Sequence, residues 1–113
     1  MPETHKMILE RANAAVVQGD FEGFLGFCTE DTEWTFVGDQ TLTGKEAVRQ
    51  YMATVYKEPP KLSVHRMISE GDFLTVIGEI TLTDEVGKAT RHMYCDVWHF
   101  RDGKMAGLQA FVI

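Results

Sequence analysis

Between Phe73 and Ile113 the chain reads FLTVIGEITLT (73–83), DEVGK (84–88), ATRHMYCDVWHF (89–100), RDGK (101–104) and MAGLQAFVI (105–113). Three runs rich in β-branched and aromatic residues alternate with clusters of turn formers, which is the pattern of consecutive antiparallel strands. Asp102-Gly103 is the dipeptide favoured by a two-residue type I′ hairpin, because both central residues must take positive φ. A further strand precedes these, Leu62 to Ser69, closed by Glu70-Gly71-Asp72. A four-strand meander therefore occupies the second half of the chain.

The first half supplies what packs on that meander. From His5 to Val17 the residues Met7, Ile8, Ala12, Ala15 and Val16 recur at helical spacing and predict a helix with one apolar face. Gly19 fits the residue after its C-cap, and Asp20 the N-cap of a short second helix with Phe21, Phe24, Leu25 and Cys28 as its buried stripe. Glu33 to Val37 reads as a strand, turning at Gly38-Asp39. Thr43-Gly44-Lys45-Glu46 reads as a capping box opening a third helix through Ala47, Val48, Tyr51, Met52, Val55 and Tyr56, which Pro59-Pro60 stops. The expected order is ααβαββββ in a single domain over residues 1–113: an α+β fold with its helices on one face of an antiparallel sheet.

Composition narrows the partners. The chain has 113 residues, 44% apolar, with 11 Lys plus Arg against 17 Asp plus Glu and a net charge of −6. An acidic chain without a basic cluster is a poor ligand for nucleic acid or for anionic membranes, where phosphate neutralisation supplies the affinity. No apolar run reaches the roughly 18 residues of a membrane span. The polar start Met1-Pro2-Glu3-Thr4-His5-Lys6 has no apolar core of a secretory leader, and Cys28 and Cys95 show no CxxC spacing. The expectation is a cytoplasmic protein with reduced thiols. Seven Phe, three Tyr and two Trp are many rings for this length, enough to line a cavity or an interface as well as a core.

Strand phase locates both surfaces. Tyr94, Trp98 and Phe100 share one face of their strand, while Met93, Cys95 and Val97 share the other. Leu108, Ala110 and Val112 share one face of the last strand, with Phe111 opposite. Both sheet faces are thus apolar, and helices can cover one. The other is expected to pack on a second copy, giving a homodimer through the sheet.

Asp96 lies on the face of His92, Tyr94, Trp98 and Phe100. A carboxyl buried among such groups has a raised pKa and can donate or accept a proton. The alternative is that Asp96 bonds a nearby Trp, Tyr or Arg and only shapes the cavity. Trp34, Tyr51 and Tyr56 are placed to converge on the same cavity, or simply to fill a core. His92 reads as a rim residue or a surface histidine, His5 as a solvated residue at a helix start, and His99 as a residue of the opposite face. Glu79, between threonines, reads as exposed or interfacial. No close ligand spacing among the histidines argues for a metal, and none is expected. Gly23-Phe24-Leu25-Gly26 lacks the spacing of a nucleotide loop, and neither cysteine has a His and acid relay, so no cofactor and no nucleophilic catalysis are expected.

Three stretches carry a family resemblance: Gln18-Gly19-Asp20-Phe21; Glu30 to Gly38 with Thr43-Gly44-Lys45-Glu46-Ala47; and Asp96-Val97-Trp98-His99-Phe100 through Arg101-Asp102-Gly103-Lys104-Met105. With the element order, the chain resembles the nuclear transport factor 2-like superfamily, in particular its SnoaL-like and ketosteroid isomerase-like members. The resemblance implies a cone-shaped α+β barrel: three helices closing a curved sheet around a deep apolar pocket, often as a dimer. It also implies that Asp96 matches the acid of the steroid-isomerising members. Their general-base Asp falls here on Thr35, and their first-helix Tyr falls in the region of Ala12 and Asn13, so neither role is matched. A SnoaL-like cyclase, working with one pocket acid and no cofactor, fits the residues better.

The expected function is a cofactor-independent isomerase, cyclase or dehydratase acting on an apolar cyclic or polyketide-like molecule. Asp96 is the catalytic residue, and Trp34, Tyr51, Tyr94, Trp98, His92 and Val112 are the ligand contacts. The alternatives are a non-catalytic binding module, or an assembly domain whose cavity is collapsed by Trp34, Phe36 and Trp98.

Overall fold

A computed structural model of the chain describes residues 4–113. Met1-Pro2-Glu3, part of the polar start read above, lie outside the described residues. Helix α1 runs His5–Val17, opened by the Thr4 hydroxyl accepting from the Met7 amide at 3.2 Å. Its stripe Ile8, Leu9, Ala12 and Val16 is buried, as the spacing predicts. Asp20 caps α2 (Phe21–Leu25) by accepting from the Gly23 amide.

After α2 the chain departs from the expectation in three ways. Cys28 is not on the helix but opens strand β1 (Cys28–Phe36), which begins well before Glu33. The cause is a register shift: Cys28 pairs with Met105 and Glu33 with Gly107, so the segment between them bulges from the ladder. A bulge hides the period-2 signal, and here exposed Glu30 and Asp31 alternate with nothing apolar. Second, an additional strand β2 (Gln40–Thr43) pairs antiparallel with β1, making the order ααββαββββ. It is short, and Leu42 is its only apolar residue, so it carries no periodic signature. Third, the capping box does not form. Thr43 belongs to β2, Gly44 at φ +92 is the N-cap of α3 (Lys45–Val55), and no side chain caps that helix. Glu46 pairs instead with Arg49, whose guanidinium also holds Glu22 at 2.8 Å and ties α3 to α2.

The remaining strands are β3 (Lys61–Glu70), β4 (Phe73–Thr83), β5 (Ala89–Arg101) and β6 (Lys104–Val112). Asp102 and Gly103 have φ of 53° and 77°, as a type I′ turn requires. The six strands lie in the order β2-β1-β6-β5-β4-β3, all neighbours antiparallel except β1 and β6. The sheet is curved and unclosed, with β2 and β3 as free edges, so the expected barrel is an open cone. The core lies between its inner face and the helices, where Leu74, Val76, Trp98, Leu108 and Phe100 are buried. On the outer face Phe73, Met93 and Phe111 are 52%, 43% and 43% exposed, so a single chain leaves this apolar surface uncovered.

His5 corrects another expectation. It is half-buried, not solvated, and its ring stacks on Phe100 with centroids 4.2 Å apart and planes 7° from parallel. Phe100 of β5 gives the imidazole a flat partner that no near neighbour in the chain supplies.

Candidate functional site

The inner face and the helices enclose a cavity of about 370 Å³, within the range of small-molecule sites. Strand pleat decides which residues reach it. Asp96 stands opposite Val76 of β4 and Ala110 of β6, two small side chains that leave room around its carboxyl. Tyr94 and Trp98 flank it on the same face, facing Val112 and Leu108 across the β5–β6 ladder. The helices add Leu9, Asn13 and Val16 from α1, and Tyr51, Met52 and Tyr56 from α3 and its cap.

Every residue expected at the site lines this cavity: Asp96, Trp34, Tyr51, Tyr94, Trp98, His92 and Val112. The rings do not collapse it. Trp34 and Trp98 meet edge to face at 5.7 Å, Phe36 and Tyr51 at 4.9 Å, and Tyr51 and Tyr56 at 6.1 Å, forming a wall around open space. The rim is more exposed, with Val37 and Val112 about half accessible and Asp39 beside them. His92 sits there with Nδ1 3.3 Å from the Ile113 carbonyl oxygen.

One close approach shapes the wall. Gly78 faces Tyr94, and a Cβ at this position would lie 2.4 Å from the Ser63 carbonyl oxygen and 3.0 Å from the Tyr94 hydroxyl. Only glycine lets the phenol fold down here. A register shift in β3 between Val64 and Arg66 lies next to this contact.

The electrostatics centre on Asp96. Burial pushes its carboxyl up from 3.8 to about 7. None of the described residues hydrogen-bonds or ion-pairs with it, and no Lys or Arg lines the cavity. The purely structural role, a bond to a neighbouring Trp, Tyr or Arg, is therefore not what holds this carboxyl. The Trp34 Nε1 hydrogen has no acceptor either and is closed off from the open space. Burial also raises the phenols. Tyr94 moves to about 12, and Tyr56 rises further with help from Tyr51 and Asp96, so both remain donors at neutral pH. A carboxyl balanced near neutrality, facing protonated phenols in an apolar cavity, can deliver or remove one proton.

Several lining residues were not among the expected contacts. Asn13 is one, and it had a signal: it lies between Leu9 and Val16 on the apolar stripe of α1, a polar residue where periodicity demands an apolar one. Tyr56 and Phe36 are others, legible as inward-facing but not separable from core. Asp39 is in a turn, and nothing in its flanks marked it.

The remaining candidates lie elsewhere. His99 is on the outer face, its ring 5.0 Å from that of Phe73. Glu79 is also outside, paired with His65 at 3.2 Å and Arg91 at 3.3 Å. Cys28 is fully buried, and burial pushes its thiol up to about 12. Among the described residues no three His, Cys, Asp or Glu converge to hold a metal ion, and no helix is long and apolar enough to cross a membrane.

The family model of the SnoaL-like domain matches residues 9–108. No curated protein matches the chain in sequence. Among solved structures, SalBIII, an epoxide hydrolase/cyclase-like enzyme of pyran ring formation in the polyether salinomycin, is 19% identical. Its TM-score is 0.88, over 96% of this chain and 89% of that one. An LEH-like epoxide hydrolase of M. tuberculosis is 15% identical with a TM-score of 0.84, over 95% of this chain and 80% of that one. TerC, co-crystallised with polyporic acid, is 23% identical with a TM-score of 0.79, over 93% of this chain and 88% of that one. At such identities the likeness is one of fold.

Proposed function

From the premise that the chain belongs to the SnoaL-like domain family, we propose that it acts on an apolar, cyclic or polyketide-like small molecule by proton transfer at Asp96, as an isomerase, cyclase or dehydratase with no bound cofactor. The observation that carries this reading is the Asp96 carboxyl itself, unpaired in the cavity and balanced near pH 7. Trp34, Tyr51, Tyr94, Trp98, His92 and Val112 are the proposed ligand contacts, with the rings packing on the apolar body. SalBIII and the M. tuberculosis epoxide hydrolase, named for ring-opening and ring-forming chemistry, support a reaction of this kind on this fold. TerC with its bound polyporic acid supports a small cyclic ligand.

The test is incubation of the protein with a panel of cyclic enones and hydroxy-epoxides in D2O, with products and deuterium incorporation read by mass spectrometry. Turnover by the parent protein and a loss of at least about 100-fold in Asp96→Asn are expected, the usual scale of a general acid–base contribution. Equal turnover by the two proteins refutes the reading.

A second reading, binding without turnover, draws on the absence, among the described residues, of any group hydrogen-bonded to Asp96 that could relay its proton. In that case Asp96→Asn and the parent retain the same ligands and neither converts them. In either case the uncovered outer face, with Phe73, Met93 and Phe111, is proposed as a homodimer interface, and the cytoplasm as the working compartment.

A further inference from the structure

The charges around the cavity are of one sign. Asp96 lies inside and Asp39 at the rim, while among the described residues no Lys or Arg lines the space. Among the described residues His92 is the single lining side chain able to become a cation, and it sits at the rim, near Ile113. A carboxylate or phosphate entering this cavity meets like charge and no Lys or Arg from the described residues, which is costly in a low-dielectric site.

A positive group meets the reverse. Asp96 has neither a hydrogen bond nor an ion pair from the described residues, so an entering cation gives it the missing partner. The wall beside it is aromatic: Trp34 and Trp98 stand edge to face at 5.7 Å, and Tyr51 and Tyr56 continue the rings at 6.1 Å from each other. Ring faces attract ammonium groups through their quadrupoles, and most strongly where water is displaced. A carboxylate and several rings with no competing cation form the combination that recognises amines.

We propose that the cavity selects a ligand with an apolar body and a protonated or quaternary ammonium at its polar end, the charge lying between Asp96 and the rings of Trp34, Trp98, Tyr56 and Tyr94. The inference rests on the reading of the cavity as a small-molecule site and sharpens it in one respect. A cation beside Asp96 keeps it as the carboxylate, the form that removes a proton, so Asp96 acts as base rather than acid.

Both tryptophans of the chain line the cavity, so intrinsic fluorescence reports its occupancy. Three probes of like size are titrated: benzyltrimethylammonium, its uncharged isostere neopentylbenzene, and phenylacetate. The ammonium is expected to bind at least tenfold more tightly than neopentylbenzene, with phenylacetate weakest. Asp96→Asn is expected to lose at least tenfold for the ammonium and to stay within twofold for neopentylbenzene, which also shows that the variant is folded. If the variant does not fold, the comparison of isosteres on the parent protein decides alone. Equal or tighter binding of neopentylbenzene by the parent, or unchanged ammonium binding by Asp96→Asn, overturns the proposal. If neopentylbenzene or phenylacetate binds and the ammonium does not, the small-molecule reading stands and the ammonium proposal falls. If none of the three binds, both fall.

Discussion

Replacing Asp96 by Asn should stabilise the protein, and by an amount that depends on pH. The native carboxyl titrates at about 7, against 3.8 for an ordinary Asp, and burial is the cause. Below the unfolded value both states hold the proton, and ionisation contributes nothing to stability. Between the two values the native state holds a proton that the unfolded state has released, so stability falls as pH rises, by about 1.4 kcal/mol per pH unit. Above the native value both states are ionised and the loss is complete. The displacement from 3.8 to about 7 corresponds to about 4 kcal/mol at most. This is a large share of the roughly 5–15 kcal/mol that holds a domain together. Asn keeps the shape and carries no charge, so it should match the parent near pH 4 and exceed it by up to about 4 kcal/mol at pH 8. Urea denaturation of both proteins from pH 4 to 9 measures this, because every other titrating group cancels in the difference. A difference that does not change with pH, or a variant less stable than the parent at pH 8, refutes the account of Asp96 as an uncompensated buried acid.

Other expectations concern the frame around that acid. Gly78→Ala should lower stability by about 1–3 kcal/mol in the same assay, because its Cβ would lie 2.4 Å from the Ser63 carbonyl oxygen. A loss below a few tenths of a kcal/mol would show that β3 yields there. Native Cys28 should resist iodoacetamide at pH 8 and alkylate at least about 100-fold faster in urea, since its thiol is fully buried and pushed up to about 12. Peptide mass spectrometry reads the rates, and equal rates contradict the buried placement. Phe111→Lys, at a position 43% exposed on the outer face, should shift sedimentation from dimer to monomer with little change in unfolding of the monomer. A parent protein that sediments as a monomer at high concentration removes the dimer proposal.

Much of this molecule is legible in its sequence. Helix α1 ends where Gly19 and Asp20 say it must, and β4 spans Phe73 to Thr83, because alternation and turn chemistry are properties of neighbours in the chain. The inward set Trp34, Tyr94, Asp96, Trp98 and Val112 followed from strand parity, since a pleated strand sends alternate side chains to opposite faces. The failures were of another kind. Strand β2 has no pattern of its own and exists because β1 offers it an edge. The expected capping box lost Thr43 to that pairing. His5 left solvent for Phe100, a partner 95 positions away in the chain.

The sequence by itself therefore determined the elements, their order in the meander, and which side chains turn inward, all consequences of local sterics and hydrophobic period. Tertiary structure alone decided that β6 inserts between β1 and β5, and that the inward rings stop short of filling the space they surround. It also decided that Asp96 meets neither a donor nor a cation among the described residues. Parity can turn a carboxyl inward, but its partners and its proton affinity depend on groups brought from the three helices and from β1, β3, β4 and β6, and those meet only when the sheet curves.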